Sequence, residues 1–534
     1  MPPTLNQLRR RHPEHRAKAD YWKRLDALVK GGGALTDQIK RDLLANPDGR
    51  PESAIKQRIK VARYFNKISP ILSRFLSQLF AETAAYEGSK DKFWGEKFFK
   101  EGALLSGDDD GRASFQTFLV RAMLAALSTG KAIAQIDTRV AKGATNKLQQ
   151  REYQEDEPYL LLVPRWDLWD WETDRDGFKF AKVHRFRWAR KSWDSDPVAI
   201  HDFTTYQRTP TGAIAFSRYA VIERKPDESG VGSDLEMLQE RDVVIEPIQG
   251  LKNVELFNLK GKFKFPIVTL NLPPELWVAD QLHDPQVSHF NIAASAEWGI
   301  LTSNYSMAAV KTPDPEEFFD RNKRFGEGYY LLLQPEEDVN WLERPGGAFD
   351  TAMRYREIIE ADIDKTVQQI AIAAKDAVSA ISGEAIRQAR RPEQLLLLGY
   401  GALVKEFAEC ILDVASIARG EDATWKCNGF DDFTETSLTT VSTEYAGIQQ
   451  AQIPSPTFNK EMQKAYVRDV AKQKDFDPKD LKQMLEEIDN PPESEEEGGT
   501  LTEEASGTGE PAPSEDLDFD AIASEALAGI EEQE

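Results

Sequence analysis

The sequence predicts an α+β protein that is mostly helical and carries one β-rich region in its first half. Apolar residues recur every three or four positions over 13–130, which is the spacing of amphipathic helices. Over 158–272, short alternating or wholly apolar runs are bounded by Gly, Pro and Asp, as is typical of strands. Helical spacing returns over 280–420 and over 458–489. We therefore expect a sheet-bearing region between two helical ones.

The first helical region is expected to end at a glycine. A run of small and apolar residues closes with Gly130, and the apolar segment 133–137 follows it. Glycine is favoured just past a helix because it adopts left-handed backbone angles without a steric penalty. The pattern predicts a helix that stops at Gly130 and a strand over 133–137.

The overall charge argues against a general nucleic-acid binder. The 534 residues, 60.3 kDa in mass, include 67 Lys and Arg against 90 Asp and Glu, a net charge of −23 at pH 7. Proteins that bind nucleic acid broadly gain affinity by releasing phosphate counterions and are usually basic. Any contact with DNA or RNA is therefore expected to be local, transient or topological.

Much of this charge lies in the last 44 residues, 491–534, which hold 15 acidic residues and no Lys or Arg. A segment rich in Glu, Gly, Pro and Ser with so few apolar residues is typical of a disordered acidic tail. Phe519, Ile522, Leu527 and Ile530 could nevertheless form a short amphipathic helix on a partner. A solvated tail with a few scattered apolar residues remains the alternative.

The expected location is inside a cell. Two cysteines, Cys410 and Cys427, cannot form a disulfide framework and suit a reducing compartment. The N-terminus is charged from Arg9 onward and lacks the apolar core of a signal peptide. No run approaches 18 uncharged apolar residues, so we expect no membrane association.

Motifs for catalysis are not apparent. The pairs Gly130-Lys131 and Gly261-Lys262 lack the upstream glycine and following Ser or Thr of a phosphate-binding loop. The six histidines do not have the spacing of a zinc site. The acidic run at 108–110 resembles the start of a calcium-binding loop, but Leu119 stands where such a loop has its bidentate glutamate. We expect no enzyme activity, no cofactor and no metal.

The clearest helical stripes lie in the C-terminal half, over 281–308 and 348–374. Each has apolar residues at steps of three and four, so each should bury one side. Ser288, Asn291, Ser295 and Thr302 give the first helix a small polar face, which could line a solvent passage. The selected stripe residues are Val287, Phe290, Trp298 and Leu301 in the first helix, and Ile359, Ile363, Val367 and Ile370 in the second.

Different structure is expected around these two helices. Between them, Pro and Gly bracket the short apolar runs 329–333 and 339–342, which predicts a small strand-bearing excursion. After the second helix, a loop leads to a long helix that begins near Ser382, a plausible N-cap, and continues through Val414. Pro392 falls inside that helix and should kink it.

This order of elements resembles the portal proteins of tailed bacteriophages. In that family the corresponding parts are a stem helix, a clip, a second stem helix, a tunnel loop and a kinked wing helix. The resemblance covers about 12–490, and the acidic tail departs from it. Further similarities are His12-Pro13-Glu14 followed by Tyr21-Trp22, the segments 127–137 and 158–171, and Ser382-Gly383-Glu384-Ala385.

The resemblance implies a portal-like architecture: mostly helical with a β-rich wing, long stem helices, a small α/β clip, a helical crown and a disordered acidic tail. The implied parts are a wing over 1–280 (helical over 12–130, β-rich over 131–280), stem helices over 281–308 and 348–374, a clip over 309–347, a tunnel loop over 375–382, a kinked wing helix and following strand region over 383–440, a crown over 441–490 and the tail over 491–534.

The resemblance also implies a function. About twelve copies would form a ring at one capsid vertex, through which double-stranded DNA enters during packaging and leaves at infection. The implied partners are the large terminase, a head–tail adaptor, and the major capsid and scaffold proteins. The implied location is the portal vertex of the virion, and the host cytoplasm during assembly.

Site residues follow from the implied parts. The DNA-facing candidates at the channel are Lys375, Asp376, Ser379, Arg387, Arg390 and Arg391. Pairing of the arginines with Glu384, Glu393 or a neighbouring copy remains the alternative. Clip candidates interleave aromatic and basic residues, which suits nucleic acid or protein, and the resemblance favours a protein partner. They are Phe318, Phe319, Arg321, Lys323, Arg324 and Phe325, while the eight stripe residues become the stem interface between copies.

Two other functions remain open. Another oligomeric virion protein, such as a head–tail adaptor, would share the structural role, although most adaptors are far shorter. A metal-dependent DNA-processing enzyme would need carboxylates clustered at strand ends. The helical C-terminal half does not supply them in a recognisable order.

Overall fold

The computed structural model describes residues 3–45, 52–104, 112–138, 157–175, 177–190, 192–194, 196–223, 235–236, 238–247, 258–259, 262–304, 308–311, 330–333, 346–377, 392–430, 433, 445–446, 455–474 and 478–489. The chain divides into two compact units, Met1–Thr434 and Glu435–Glu534. The predicted disorder of the tail concerns residues outside the described ranges. In the part of the chain that the structure describes, no helix has the length and apolarity needed to cross a membrane.

The first unit contains eleven described helices. They are α1 (Leu5–Arg9), α2 (Pro13–Lys30), α3 (Asp37–Leu43), α4 (Glu52–Val61), α5 (Ile68–Leu79), α6 (Phe99–Glu101), α7 (Phe115–Thr129), α8 (Val278–Gln281), α9 (His283–Asn304), α10 (Gly346–Ala377) and α11 (Pro392–Arg419).

Sixteen described strands belong to the same unit. They are β1 (Ala85–Glu87), β2 (Ala103–Leu104), β3 (Arg112–Ala113), β4 (Lys131–Thr138), β5 (Pro158–Val163), β6 (Leu168–Asp174), β7 (Gly177–Ala189), β8 (Val198–Arg208), β9 (Ile214–Glu223), β10 (Val243–Pro247), β11 (Asn258–Leu259), β12 (Lys262–Phe263), β13 (Ile267–Asn271), β14 (Ala308–Lys311), β15 (Tyr330–Leu333) and β16 (Lys426–Asn428).

The strands form two five-stranded sheets and three two-stranded pairs. The first sheet has the order β13-β4-β5-β2-β3 and is antiparallel except between β2 and β5. The second sheet, β10-β9-β8-β7-β6, is antiparallel throughout. Most strands occur in the stretch from β4 to β13, between two largely helical stretches, so the mixed architecture is compatible with the predicted α+β class.

The first sheet lies between the helices and the second sheet. Successive strand residues point to opposite faces, and β4 shows the consequence. Ile133 shares a core cluster with Tyr206 and Phe216 of the second sheet. Its neighbours Ala132 and Ala134 belong to the helical core instead. Both faces of β4 are therefore covered, and the strand predicted over 133–137 is confirmed.

The helical core forms around α5, α7, α10 and α11. In α5, residues at spacings of three and four are all buried, so one stripe of the helix faces the core. The described part of α11 contributes a run of buried apolar residues to the same cluster. The buried residues of α5 are Ile68, Leu72, Phe75, Leu76 and Leu79.

The predicted step from helix to strand is confirmed. The helix α7 ends at Thr129, Gly130 has a left-handed φ of 78°, and β4 begins at Lys131. The Gly130 amide donates to the Ala126 carbonyl at 2.7 Å, which closes the helix end. A Cβ at Gly130 would lie 2.9 Å from the Trp277 ring, so close packing also requires glycine here.

The long C-terminal helices partly match their predicted bounds. The helix α10 continues through Ala377, three residues into the segment assigned to the tunnel loop, so that boundary was placed too early. The described part of the third helix covers Pro392–Arg419. The proposed N-cap Ser382 lies outside the described residues, so the predicted kink stays a prediction.

The second unit contains two described helices of some length, α12 (Pro456–Lys474) and α13 (Pro478–Asp489). They pack against each other as a helical hairpin. Asp489 ties their ends together, because its carboxylate lies 3.1 Å from Lys460 Nζ and 2.6 Å from Lys464 Nζ. Helical structure over 458–489 was predicted, although not as two helices.

Candidate functional site at the two long helices

The helices α9 and α10 pack against each other and bracket the segment 305–345. Within that segment the structure describes β14 and β15, which pair in parallel. The strand over 330–333 was predicted, whereas β14 was not. The second apolar run of the excursion, 339–342, lies outside the described residues. After the segment, α10 also packs against α11. The order is therefore a long helix, a short strand-bearing excursion and two further long helices.

A partly buried polar joint connects α9 to α10. His289 Nε2 lies 2.9 Å from Glu360 Oε1, and Lys67 Nζ lies 3.3 Å from Glu360 Oε2. Burial lowers the pKa of His289, although the hydrogen bond to Glu360 opposes that shift. Burial would raise the pKa of Glu360, but hydrogen bonds from His289 and Lys67 hold it below its ordinary value. The carboxylate therefore stays charged and joins three segments of the chain.

Gln286 extends this joint toward the N-terminal helices. Its side chain is completely buried, and Oε1 accepts from the Lys67 amide at 2.9 Å. Its Nε2 donates to the Phe65 carbonyl at 3.0 Å. Since a buried amide is stable only when its polar atoms are paired, these bonds fix the first turns of α9 against 65–67.

Asn291 and Ser295 on the polar face of α9 have hydrogen-bond partners within the chain, and Ser295 is exposed, so the predicted solvent passage stays a prediction. Asn291 Oδ1 accepts from the Ala45 amide at 2.7 Å, and its Nδ2 donates to the Leu43 carbonyl at 2.9 Å. Arg58 donates to Ser295 Oγ at 2.6 Å. Asn291 thus holds the C-terminal end of α3, where backbone groups need partners, and Ser295 holds the side chain of Arg58 in α4.

Four of the eight predicted interface residues are buried inside a single chain. Phe290 packs with residues of α2, α3 and α4. Ile359, Ile363 and Ile370 lie in the helical core with α5, α7 and α11. Val367 packs against that core, and Val287 and Trp298 are half-buried, while the side chain of Leu301 is outside the described set. The assignment of these residues to a contact between copies stays a prediction.

The predicted channel and clip residues are mostly beyond the described ranges. Lys375 and Asp376 lie in the last turns of α10, and no more than their backbone is described. Ser379 and the candidate arginines Arg387, Arg390 and Arg391 are not among the described residues. The same holds for every clip candidate: Phe318, Phe319, Arg321, Lys323, Arg324 and Phe325.

The second sheet contains a histidine pair that sequence reasoning missed. His184 Nε2 lies 3.0 Å from His201 Nδ1, and the Trp169 ring lies 4.1 Å from that of His184. Burial, with a smaller effect of His201, lowers the pKa of His184 to about 3. His184 is therefore neutral at pH 7 and does not act as a charged group there. The available signal was the alternation of His184 and His201 with aromatic residues in two successive strands.

Arg165 is a second unpredicted polar centre. Its guanidinium lies 4.0 Å from the centroid of the Trp22 ring and 3.2 Å from Glu14. It also donates to the Thr129 carbonyl at the end of α7. Burial lowers the pKa of Arg165 to about 10, so the group stays cationic at pH 7. This arginine fixes α2 against the helix-to-strand step.

The comparisons do not identify a family. No protein-family model matches the chain, and no curated protein matches it. Within the described ranges, no three residues among His, Cys, Asp and Glu approach closely enough to hold a metal ion. The described residues form long helices that are held together by polar contacts around Glu360 and Arg165.

Proposed function

We propose that the chain is a portal protein of a tailed bacteriophage. In this proposal about twelve copies form a ring at one capsid vertex, α9 and α10 form the stem, and the segment between them forms the clip. DNA passes through the ring, and a separate terminase supplies the ATP hydrolysis. The observation that carries the proposal is the packing of α9 on α10 and of α10 on α11, with β14 and β15 between the first two helices.

The outer face of α10 supports assembly into a ring. Tyr355 and Ile358 lie one turn apart on one side of the helix, and each is 54% exposed. Large apolar side chains grouped on an exposed helix face are typical of a contact with another chain. This face borders the buried stripe of Ile359 and Ile363, so a neighbouring copy that covers it would extend the apolar contact of the same helix.

In the proposed ring, the clip candidates contact the terminase and the head–tail adaptor, and Lys375 and the arginines at 387–391 lie near the constriction. A chain with more acidic than basic residues suits a channel, because neutralised phosphates would add binding free energy and slow the passage of DNA. The capsid and scaffold proteins would surround the ring in the virion.

The exposed face of α10 allows a test that separates assembly from folding. In the full chain, Ile358→Asp should reduce the ring fraction in light-scattering chromatography at least about tenfold, since it places a charge in the contact. Its unfolding midpoint should stay unchanged because Ile358 is exposed within one chain. Gln57→Asp, on the exposed side of α4, is the control with the same charge change. Equal ring fractions for both variants would contradict the assigned stem contact.

A further inference from the structure

The helical hairpin of the second unit carries an open groove. The groove has a volume of about 650 Å³ and lies along the line where α12 and α13 meet. Its apolar floor is made by Val467, Met484 and Ile488. The full lining is Pro456, Asn459, Lys460, Gln463, Val467, Met484, Glu487 and Ile488.

The hairpin covers very little of its own apolar surface. Not one of the residues whose burial is described within 435–489 is buried, and Phe458 is 37% exposed. Short helices obtain most of their stability from packing an apolar face, and two helices alone leave that face in water. A further segment is therefore expected to cover the groove.

The end of the chain has the sequence of such a segment. On a helix, Phe519, Ile522, Leu527 and Ile530 fall on one side, and Ala523 and Ala526 complete the stripe. Ala528 falls on the opposite side. Asp516, Asp518 and Asp520 would lie at the helix N-terminus, where negative charge is favourable.

The helix α12 and the end of the chain carry opposite charge. The helix α12 contains five Lys or Arg and two Asp or Glu, whereas residues 491–534 contain 15 acidic residues and no basic one. Within the groove Lys460 pairs with Asp489 at 3.1 Å and Glu487 also lines the wall, so the attraction comes from the charge of α12 as a whole. An acidic segment therefore approaches α12 with favourable electrostatics.

The connecting chain is long enough. The described hairpin ends at Asp489, and residues 490–518 separate it from Phe519. A flexible linker of that length has a root-mean-square span of about 30 Å. The helix α13 is only about 18 Å long at 1.5 Å per residue. The segment can thus reach any part of the groove, at an effective concentration of order millimolar.

We propose that residues 519–530 dock as a helix in the groove between α12 and α13 of the same chain. The docked segment supplies the third helix that the hairpin needs to bury its apolar floor. The proposal stands on the second unit alone and does not depend on the assignment of the chain as a portal protein. A partner that binds the same stripe would first have to displace it from the groove.

Hydrogen exchange on the full chain tests the docking. Leu527→Asp breaks the apolar stripe, so the amides of α13 should exchange at least about tenfold faster than in the unmodified chain. Ala528→Asp adds the same charge on the opposite side of the predicted helix and should leave the exchange unchanged. Equal exchange in all three proteins, or equal loss of protection in both variants, would overturn the proposal.

Photo-crosslinking identifies the surface that the segment contacts. With p-benzoylphenylalanine in place of Phe519, crosslinks should fall on peptides that contain Val467, Met484 or Ile488. The experiment is repeated with a mixture of ¹⁵N-labelled and unlabelled full-length copies. The two peptides of each crosslinked product should then be either both labelled or both unlabelled, because they come from the same copy. The same group in place of Ala528 should give far fewer of these products. Crosslinks to residues 1–434, to a second copy, or to no part of the chain would each contradict docking in the chain's own groove.

Discussion

His289 Nε2 lies 2.9 Å from Glu360 Oε1, and this pair joins the two long helices α9 and α10. The histidine is 1% exposed, so the pair is shielded from solvent on the α9 side. Lys67 approaches the other carboxylate oxygen at 3.3 Å and adds the N-terminal region to the same joint. A rigid joint at this point fixes the direction in which both helices leave the core.

Removal of the carboxylate should loosen the joint. Glu360→Ala leaves His289 without its acceptor and Lys67 without its counter-ion, so the free energy of unfolding should fall by about 1–3 kcal/mol. Urea denaturation measures this. Glu357→Ala, at an exposed position of the same helix, is the control and should change stability by less than about 0.5 kcal/mol. Equal effects would mean that the joint contributes nothing.

Ile363 tests the core position of α10. The residue is 2% exposed and lies within the helical core. Ile363→Asp buries an unpaired carboxylate, and the unfolding free energy should fall by about 3 kcal/mol or more. Gln368→Asp places the same charge at an exposed position of the same helix and should cost little. If thermal unfolding gives the two variants the same midpoint, Ile363 is not in the core.

The histidine pair predicts acid sensitivity. The pKa of His184 is lowered to about 3 in the folded chain, against about 6.5 in the unfolded one. As pH falls below 6.5 the unfolded chain takes up the proton first. The stability is therefore complete above 6.5 and is lost as the pH falls toward 3, by up to about 1.4 kcal/mol per pH unit.

The slope can be assigned by substitution. Urea denaturation between pH 6.5 and pH 5 should show a smaller loss of stability for His184→Asn than for the unmodified chain. An unchanged slope in His184→Asn would show that this histidine is protonated in the folded chain as readily as in the unfolded one.

A comparison of Gly130 with Gly177 separates the cost of backbone strain from the cost of a steric clash when alanine replaces glycine. Both have positive φ angles, 78° and 100°, so alanine strains the backbone at either position by about 1 kcal/mol. At Gly130 the new Cβ also meets the Trp277 ring at 2.9 Å, whereas at Gly177 nothing lies within 4 Å. Trp277 is held by its hydrogen bond to the Ser128 carbonyl and cannot easily move. In calorimetry, Gly130→Ala should cost about 1–3 kcal/mol more than Gly177→Ala, and equal costs would contradict the packing argument.

Local structure was predictable from the sequence where a single element carries its own signal. The glycine after α7, the strand β4 and the stripes of α9 and α10 depend on spacing and backbone geometry, which neighbouring residues determine. Boundaries were less certain: α10 continues to Ala377 because nothing in the sequence at Lys375 ends a helix.

Contacts distant in sequence were not predictable. Asn291 and Ser295 had the composition of a solvent-facing surface, yet they bond to Leu43, Ala45 and Arg58 more than 200 residues away. The pair His184 and His201 depends on the register of β7 with β8, in which His201 faces Phe186 and His184 faces Phe203. Spacing along the chain does not specify register.

Negative-stain electron microscopy of the purified full-length chain, combined with mass photometry, tests the portal assignment most directly. The assignment predicts rings with a central hole and a mass of about twelve copies of the 60.3 kDa chain. Particles with the mass of a single chain and no central hole, at the concentrations that assembly requires, would contradict it.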